Sequence, residues 1–130
     1  MDSTERDFSA VVAVIEADHA VILGMIERIK AEVVGPQPDR SVIAGTLDEM
    51  VVATRAHFAR EDALMTDTSL EEFALHRQDH SHLLKILTDF ARAFRSGTLA
   101  ASAELAADLD AWLNFHIQRF DSRLRAFLGE

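Results

Sequence analysis

The chain has 130 residues, no cysteine and a formal net charge of −9, and we expect residues 1–130 to form a single domain. The absence of cysteine excludes a disulfide scaffold, thiolate zinc sites and iron–sulfur clusters, and the acidic balance opposes binding to the phosphate backbone of nucleic acids. The N-terminus has no signal-peptide pattern and no apolar stretch approaches the ~20 residues of a membrane span, so we expect a cytoplasmic protein with no membrane or nucleic-acid partner.

The first predicted helix runs from about Phe8 to Val34, because apolar residues recur three and four positions apart along one broad stripe. Gly35 and Pro36 end this helix, since a proline disfavours helical geometry at the residue before it. The apolar stripe consists of Val11, Val14, Ile15, Ile22, Met25, Ile26 and Ile29.

The second predicted helix is capped by Asp39 or Ser41 and ends near Met65. A capping box formed by Ser69 and Glu72 begins the third helix. Ser96 and Gly97 end that helix, since glycine is suited to the left-handed conformation. The apolar residues of these two helices are Ile43, Leu47, Met50, Val51, Phe58, Leu64, Phe73, Leu83, Ile86, Leu87, Phe90 and Phe94.

The fourth predicted helix spans roughly Leu99 to Phe127. Its core candidates are Leu105, Leu109, Trp112, Leu113, Phe120 and Leu124. Four amphipathic helices joined by short connections pack with their neighbours antiparallel. The sequence therefore predicts an all-α fold, an up-down-up-down antiparallel four-helix bundle.

Two pairs of candidate metal ligands lie four residues apart on the second and third predicted helices. The pairs are His57 with Glu61 and His76 with His80. Side chains at this spacing point in nearly the same direction, so each pair can direct two donor atoms to one place. Imidazole nitrogen and carboxylate oxygen are ligands for borderline transition metals.

Further histidines extend these pairs to all four helices. His19 and His116 lie on apolar stripes, where a single histidine is usually a hydrogen-bonded core residue. Several buried imidazoles together are costly without partners, and a metal is their natural partner. Asp121 follows His116 by five residues and reaches the centre from another height, so with Glu61 it provides two carboxylates able to bridge two metals. His82 faces away from the inward pair, and we expect it at the surface, with an outer role around the metal as the alternative.

These residues resemble the hemerythrin family, and most closely its single-domain bacterial members, in order and in separation across most of the chain. The matching pieces are Asp18-His19, His57-Phe58-x-x-Glu61-Asp62, His76-x-x-x-His80 and Trp112-Leu113-x-x-His116-Ile117-x-x-x-Asp121. Each piece alone is a weak signal. The resemblance implies a non-haem di-iron centre, with two Fe ions bridged by an oxo or hydroxo group.

The resemblance also implies a role for each ligand. It assigns His76, His80 and His116 to one iron, His19 and His57 to the other, and Glu61, Asp121 and an oxygen from solvent to the bridges. The iron with two histidines would keep one open position. The residues that match the family's apolar pocket around that position are Ile22, Trp112, Leu113 and Ile117, although ordinary core packing explains these four equally well.

The function implied by the resemblance is reversible O2 binding for storage, delivery or sensing, by a protein that is not an enzyme. A di-iron oxidase or peroxidase is the first alternative, but such enzymes carry more carboxylates than histidines, and the ratio here is inverted. A module that senses iron or oxygen and acts through a partner is the second alternative. We expect a monomer whose partners are O2 and, as a candidate, an oxygen-using enzyme or a signalling protein.

Overall fold

The computed structural model describes residues 3–64 and 70–128, with side chains for residues 13–63, 74–75 and 77–119. The described residues form four helices. Their bounds are α1 Ser3–Val33, α2 Arg40–Leu64, α3 Leu70–Arg95 and α4 Ala103–Leu128. The predicted all-α fold class is confirmed, and the contacts between the helices are those of a four-helix bundle.

Side-chain contacts run in crossed order between neighbouring helices, as antiparallel packing requires. Between α1 and α2, Asp18 contacts Arg60 while Arg28 contacts Glu49, so residue numbers rise on one helix as they fall on the other. The other pairs in crossed order are Asp48 with Arg95 and Asp62 with His80 between α2 and α3, Lys30 with Asp110 and His19 with His116 between α1 and α4, and Asp79 with Arg119 and Leu83 with Trp112 between α3 and α4.

The ends of α2 and α3 follow the turn chemistry of the sequence. The Asp39 carboxylate accepts the backbone N–H of Ser41 at 2.9 Å, so Asp39 is the N-cap of α2. Gly97 has a φ of +87° after the last turn of α3, and the next N–H, of Thr98, donates to the Ala93 carbonyl at 2.9 Å. The predicted helix stop at Gly97 is confirmed. Ser69 of the predicted capping box and Met65 lie outside the described residues.

The starts of α1 and α4 differ from the prediction. The backbone of α1 is helical from Ser3. The prediction placed the start later, at about Phe8, because a polar first turn leaves no mark in the apolar periodicity. The fourth helix begins at Ala103, where the Ser102 hydroxyl accepts the Leu105 N–H at 3.3 Å. Leu99 belongs instead to the connecting segment, and its carbonyl accepts a hydrogen bond from the Arg40 guanidinium at 3.1 Å.

One continuous core fills the bundle. Its buried members include Ile22, Ile26, Ile29, Ile43, Leu47, Met50, Phe58, Leu83, Leu87, Phe94, Leu105, Leu109, Trp112 and Leu113. Val14 was placed on the apolar stripe, but that prediction is wrong, since its side chain is 48% exposed on the outer side of α1. The predicted core residues whose side chains lie outside the described set are Val11, Leu64, Phe73, Phe120 and Leu124.

A single tryptophan spans the contact between α3 and α4. The Trp112 indole N–H donates to the backbone carbonyl of Leu83 at 2.9 Å, and the Trp112 side chain is almost entirely buried. The two residues lie one helical turn from His116 and His80, respectively. The hydrogen bond therefore joins α3 and α4 close to the level of His80 and His116.

Candidate metal centre

The four helices each place one histidine at the same level of the bundle. His19 comes from α1, His57 from α2, His80 from α3 and His116 from α4, and all four side chains are buried. Glu61 lies one turn from His57 on α2 and is fully buried. Five of the seven predicted metal ligands are therefore brought together in the core.

The Glu61 carboxylate lies at the middle of these imidazoles. Its Oε1 atom is 2.9 Å from the Nε2 atom of His57, 3.0 Å from that of His116 and 3.5 Å from that of His80. Its Oε2 atom is 4.0 Å from Nε2 of His19. Donor atoms from His19, His57, Glu61 and His116 all lie within 4.8 Å of one another, close enough to bind a metal ion.

Two further carboxylates fix how the imidazoles are protonated. The Nδ1 atom of His57 is 3.0 Å from the Asp18 carboxylate, and that of His80 is 2.7 Å from the Asp62 carboxylate. An ionised carboxylate only accepts, so each Nδ1–H donates, and the neutral form of each ring then has its lone pair on Nε2, the atom that faces Glu61. Metal-binding histidines in proteins usually donate their other ring N–H to such an outer partner.

The convergence of acceptor atoms fits a cation. The Nε2 atoms of His57 and His116 are 3.3 Å apart beside the Glu61 carboxylate. The buried Nε2 of His19 has no hydrogen-bond partner within the described part of the chain. A proton could satisfy one of these lone pairs, but a metal ion can satisfy several at once. Nitrogen donors in this number, with a carboxylate, suit a borderline metal such as iron or zinc.

The charge states at the site favour metal binding at neutral pH. Burial lowers the pKa of His19 to about 4, with nearby His116 acting in the same direction and Asp18 opposing it. Burial also lowers the pKa of His80, although the Asp62 carboxylate opposes this shift. Burial raises the pKa of Asp18, but hydrogen bonds from Arg60 and His57 outweigh it and leave that pKa lowered. Neutral imidazoles and ionised carboxylates are the forms that bind metals.

The remaining predicted site residues fall into three groups. His76 lies in α3 and Asp121 in α4, but both side chains are outside the described set, so their part in the site stays a prediction. Ile22, Trp112 and Leu113 are buried and Ile117 is half-buried, all four in the core that encloses the cluster. His82 is exposed, as predicted.

The contacts of Asp18 with His57 and of Asp62 with His80 were missed by sequence reasoning, which treated the two aspartates only as members of the motif. A usable signal exists, because each carboxylate directly neighbours a candidate ligand, Asp18 before His19 and Asp62 after Glu61. Each is half-buried, and a carboxylate is seldom found at such a depth without a partner. The ring it binds lies on another helix, so periodicity within one helix cannot identify it.

The metal-free protein should lose stability as the pH falls from 6.5 to about 4. In this window the unfolded chain protonates His19 while the folded chain does not, because burial lowers the pKa in the folded state. The unfolding free energy is therefore at its full value above pH 6.5 and falls on acidification by about 3 kcal/mol, since each unit between the pKa values of the two states is worth about 1.4 kcal/mol. Denaturant unfolding of the metal-free protein at a series of pH values measures it.

The matched controls for this prediction are His19→Asn and His82→Asn. The first removes one buried titrating group and should reduce the pH dependence of the unfolding free energy, leaving the part that comes from the lowered pKa of His80. The second changes an exposed histidine and should leave the dependence as in the wild type. A His19→Asn protein with the full wild-type dependence would contradict the assignment.

Comparison with known proteins gives a consistent result along the chain. The family model of the Hemerythrin HHE cation binding domain matches residues 7–128. A bacteriohemerythrin of Stenotrophomonas maltophilia is 27% identical over 97% of this chain and 83% of its own length. A bacteriohemerythrin of Pseudomonas aeruginosa is 28% identical over 91% of this chain and 75% of its own length. A bacteriohemerythrin of Methylococcus capsulatus is 24% identical over 93% of this chain and 91% of its own length.

No solved structure matches the chain significantly. All three relatives are named bacteriohemerythrin. In the described part of the chain, no helix is both long enough and apolar enough to cross a membrane.

Proposed function

Since this chain belongs to the hemerythrin family, whose HHE domain binds a di-iron centre, we propose that it binds O2 reversibly at such a centre. The observation that carries the proposal is the buried cluster of His19, His57, Glu61 and His116 inside an apolar core. The similarity to proteins named bacteriohemerythrin adds support. Ferrous iron would supply the O2-binding chemistry, and the protein would supply the ligands and the surroundings.

The proposed ligand roles follow the family pattern. They are His76, His80 and His116 for one iron, His19 and His57 for the other, and Glu61, Asp121 and a solvent oxygen as bridges. The central position of the Glu61 carboxylate among four imidazoles supports its bridging role. The hydrogen bonds from Nδ1–H of His57 and His80 to carboxylates support the proposed roles of these two histidines as metal ligands. Each bond orients its ring so that Nε2 faces the centre.

The surroundings of the cluster favour a carrier over an oxidase. The proposed pocket residues Ile22, Trp112 and Leu113 are buried and apolar apart from the indole N–H, which is already bound to the Leu83 carbonyl. Such walls offer no acid that could protonate a bound oxygen ligand, and proton delivery is what drives oxygen cleavage in an oxidase. Delivery to an oxygen-using enzyme and signalling through a partner both remain compatible with this chemistry.

We expect the reduced, iron-loaded protein to gain a visible charge-transfer band in air and to lose it when O2 is swept out. The reason is that an apolar pocket lets the ligand leave unchanged. Repeated cycles of air and argon, followed by absorption spectroscopy, measure the recovery. Zinc-loaded protein treated in the same way should show no band.

The outcome that contradicts the carrier is continuous O2 consumption with a reductant and no persistent oxygenated spectrum. In that case the oxidase would be the better description of the same site. Measurement of dissolved O2 with an electrode in parallel with the spectra separates the two functions in one experiment.

A further inference from the structure

Arg60 makes a two-pronged contact with Asp18 at the edge of the metal centre. From α2, its Nε–H donates to Oδ2 of Asp18 and its Nη2–H donates to Oδ1, each at 2.7 Å. A guanidinium and a carboxylate joined in this way hold a fixed relative plane. The Arg60 side chain is 44% exposed and that of Asp18 only 18%, so the contact closes over the carboxylate from the solvent side.

One of the two Asp18 oxygens, Oδ2, accepts from both Arg60 and a candidate metal ligand. This Oδ2 atom lies 3.0 Å from Nδ1 of His57, a fully buried ring. Arg60 and His57 are three residues apart on α2, so they lie on the same side of that helix. Asp18 reaches between them from α1 and connects the exposed arginine to the buried imidazole.

A carboxylate without the arginine would be less well placed. Asp18 has two side-chain torsions, and its partial exposure allows water to compete for its oxygens. With both oxygens bound to Arg60, the carboxylate can turn neither toward solvent nor away from Nδ1 of His57. The direction of the His57 ring, and thus of its Nε2 lone pair toward Glu61, depends on this restraint.

We propose that Arg60 is a positioning residue for the metal centre, acting through Asp18 to hold His57 in its Nδ1–H tautomer with Nε2 directed at the metal. The inference rests on the proposed function only in requiring that His57 binds the metal. Arg60 itself touches neither the metal nor O2. Its effect is on how tightly the ion beside His57 is held.

A second arginine on the same pair of helices provides the matched control. Arg28 of α1 donates to Glu49 of α2 at 3.3 Å, with both side chains well exposed. This bridge also joins α1 to α2, but neither residue contacts any of the candidate ligands whose side chains are described. If Arg60 merely tied two helices together, loss of either bridge would have the same consequence.

The first readout requires no metal. Nitrogen-15 NMR of histidine-labelled apoprotein, with His57 assigned from a His57→Gln spectrum, reports which ring nitrogen carries the proton. We expect the Nδ1–H form in the wild type and in Arg28→Gln, and a mixture of the two tautomers in Arg60→Gln. Arg60→Lys keeps a positive donor but only a single prong, so it should restore the wild-type tautomer in part.

The second readout is metal affinity. Competition with a chelator should show that Arg60→Gln holds its more weakly bound iron about tenfold less tightly, in the range that loss of an outer partner of a metal ligand produces. Arg28→Gln should match the wild type, and Arg60→Lys should lie between the two.

The proposal is overturned if Arg60→Gln keeps the wild-type tautomer and affinity, or if Arg28→Gln weakens iron binding to the same extent. Should Arg60→Gln not fold, the comparison of Arg60→Lys with Arg28→Gln decides the question in the same way. Failure of O2 binding would leave both readouts intact, since neither uses O2, so the two proposals can fail separately.

Discussion

Replacing Glu61 with alanine should lower the iron content from two ions per chain to one or none. The Glu61 carboxylate is fully buried and is the only carboxylate in the described cluster of four donors. Its loss removes one of the two proposed bridging carboxylates and leaves several imidazole lone pairs facing a cavity, with less negative charge to balance the metal. Elemental analysis after anaerobic reconstitution with ferrous iron measures the change.

Two variants make this result specific. Glu61→Gln keeps the volume and one oxygen but removes the charge, so it should bind less iron than the wild type while avoiding the cavity of the alanine variant. His82→Ala changes an exposed residue near the same helical level and should retain both ions. Equal iron content in Glu61→Ala and His82→Ala would show that the ligand assignment is wrong.

Iron should raise the melting temperature of the protein by about 10 °C relative to the metal-free form. A ligand present at 100 times its dissociation constant stabilises the native state by about 2.7 kcal/mol, and for a chain of this size each kcal/mol shifts the midpoint by about 4 °C. The physical source is that the metal binds buried donor atoms, notably the Nε2 atom of His19, which has no hydrogen-bond partner among the described residues. Calorimetry on the two forms in the same buffer measures the shift.

The matched control for the melting experiment is Glu61→Ala, since a protein with a weakened site should melt at nearly the same temperature with and without iron. His82→Ala should keep the wild-type difference. If wild-type protein melts at the same temperature in both forms, the metal does not bind in the folded core, and the buried cluster needs another explanation.

The helices and the close approach of His57 to Glu61 follow from local sequence, because both depend on spacing within one segment. Four residues of separation on a helix is enough to place His57 Nε2 2.9 Å from the Glu61 carboxylate. Capping is equally local, and Asp39 and Gly97 were recognised as end signals. Such features need no knowledge of how the helices are arranged in space.

Features that depend on the rotation and height of one helix against another could not be predicted. The pairing of Asp18 with His57 joins residues 39 positions apart, and the sequence pattern does not specify which side of α1 meets α2. The prediction that Val14 lies on the buried face of α1 is wrong for the same reason, since a broad apolar stripe does not fix the edge of that face. The predicted start of α4 at Leu99 is wrong because Leu99 packs against the core without being helical, and the helix begins later, at Ala103.

The fluorescence of Trp112, whose indole N–H is bound to the Leu83 carbonyl, can report on the contact between α3 and α4. Trp112 is the only tryptophan in the chain and there is no tyrosine, so near-ultraviolet emission comes essentially from one buried indole. That indole lies across the contact between the helices that carry His80 and His116. Separation of α3 from α4 would admit water to the ring and shift its emission to longer wavelength, so opening of the bundle beside the metal centre can be followed in real time without a label.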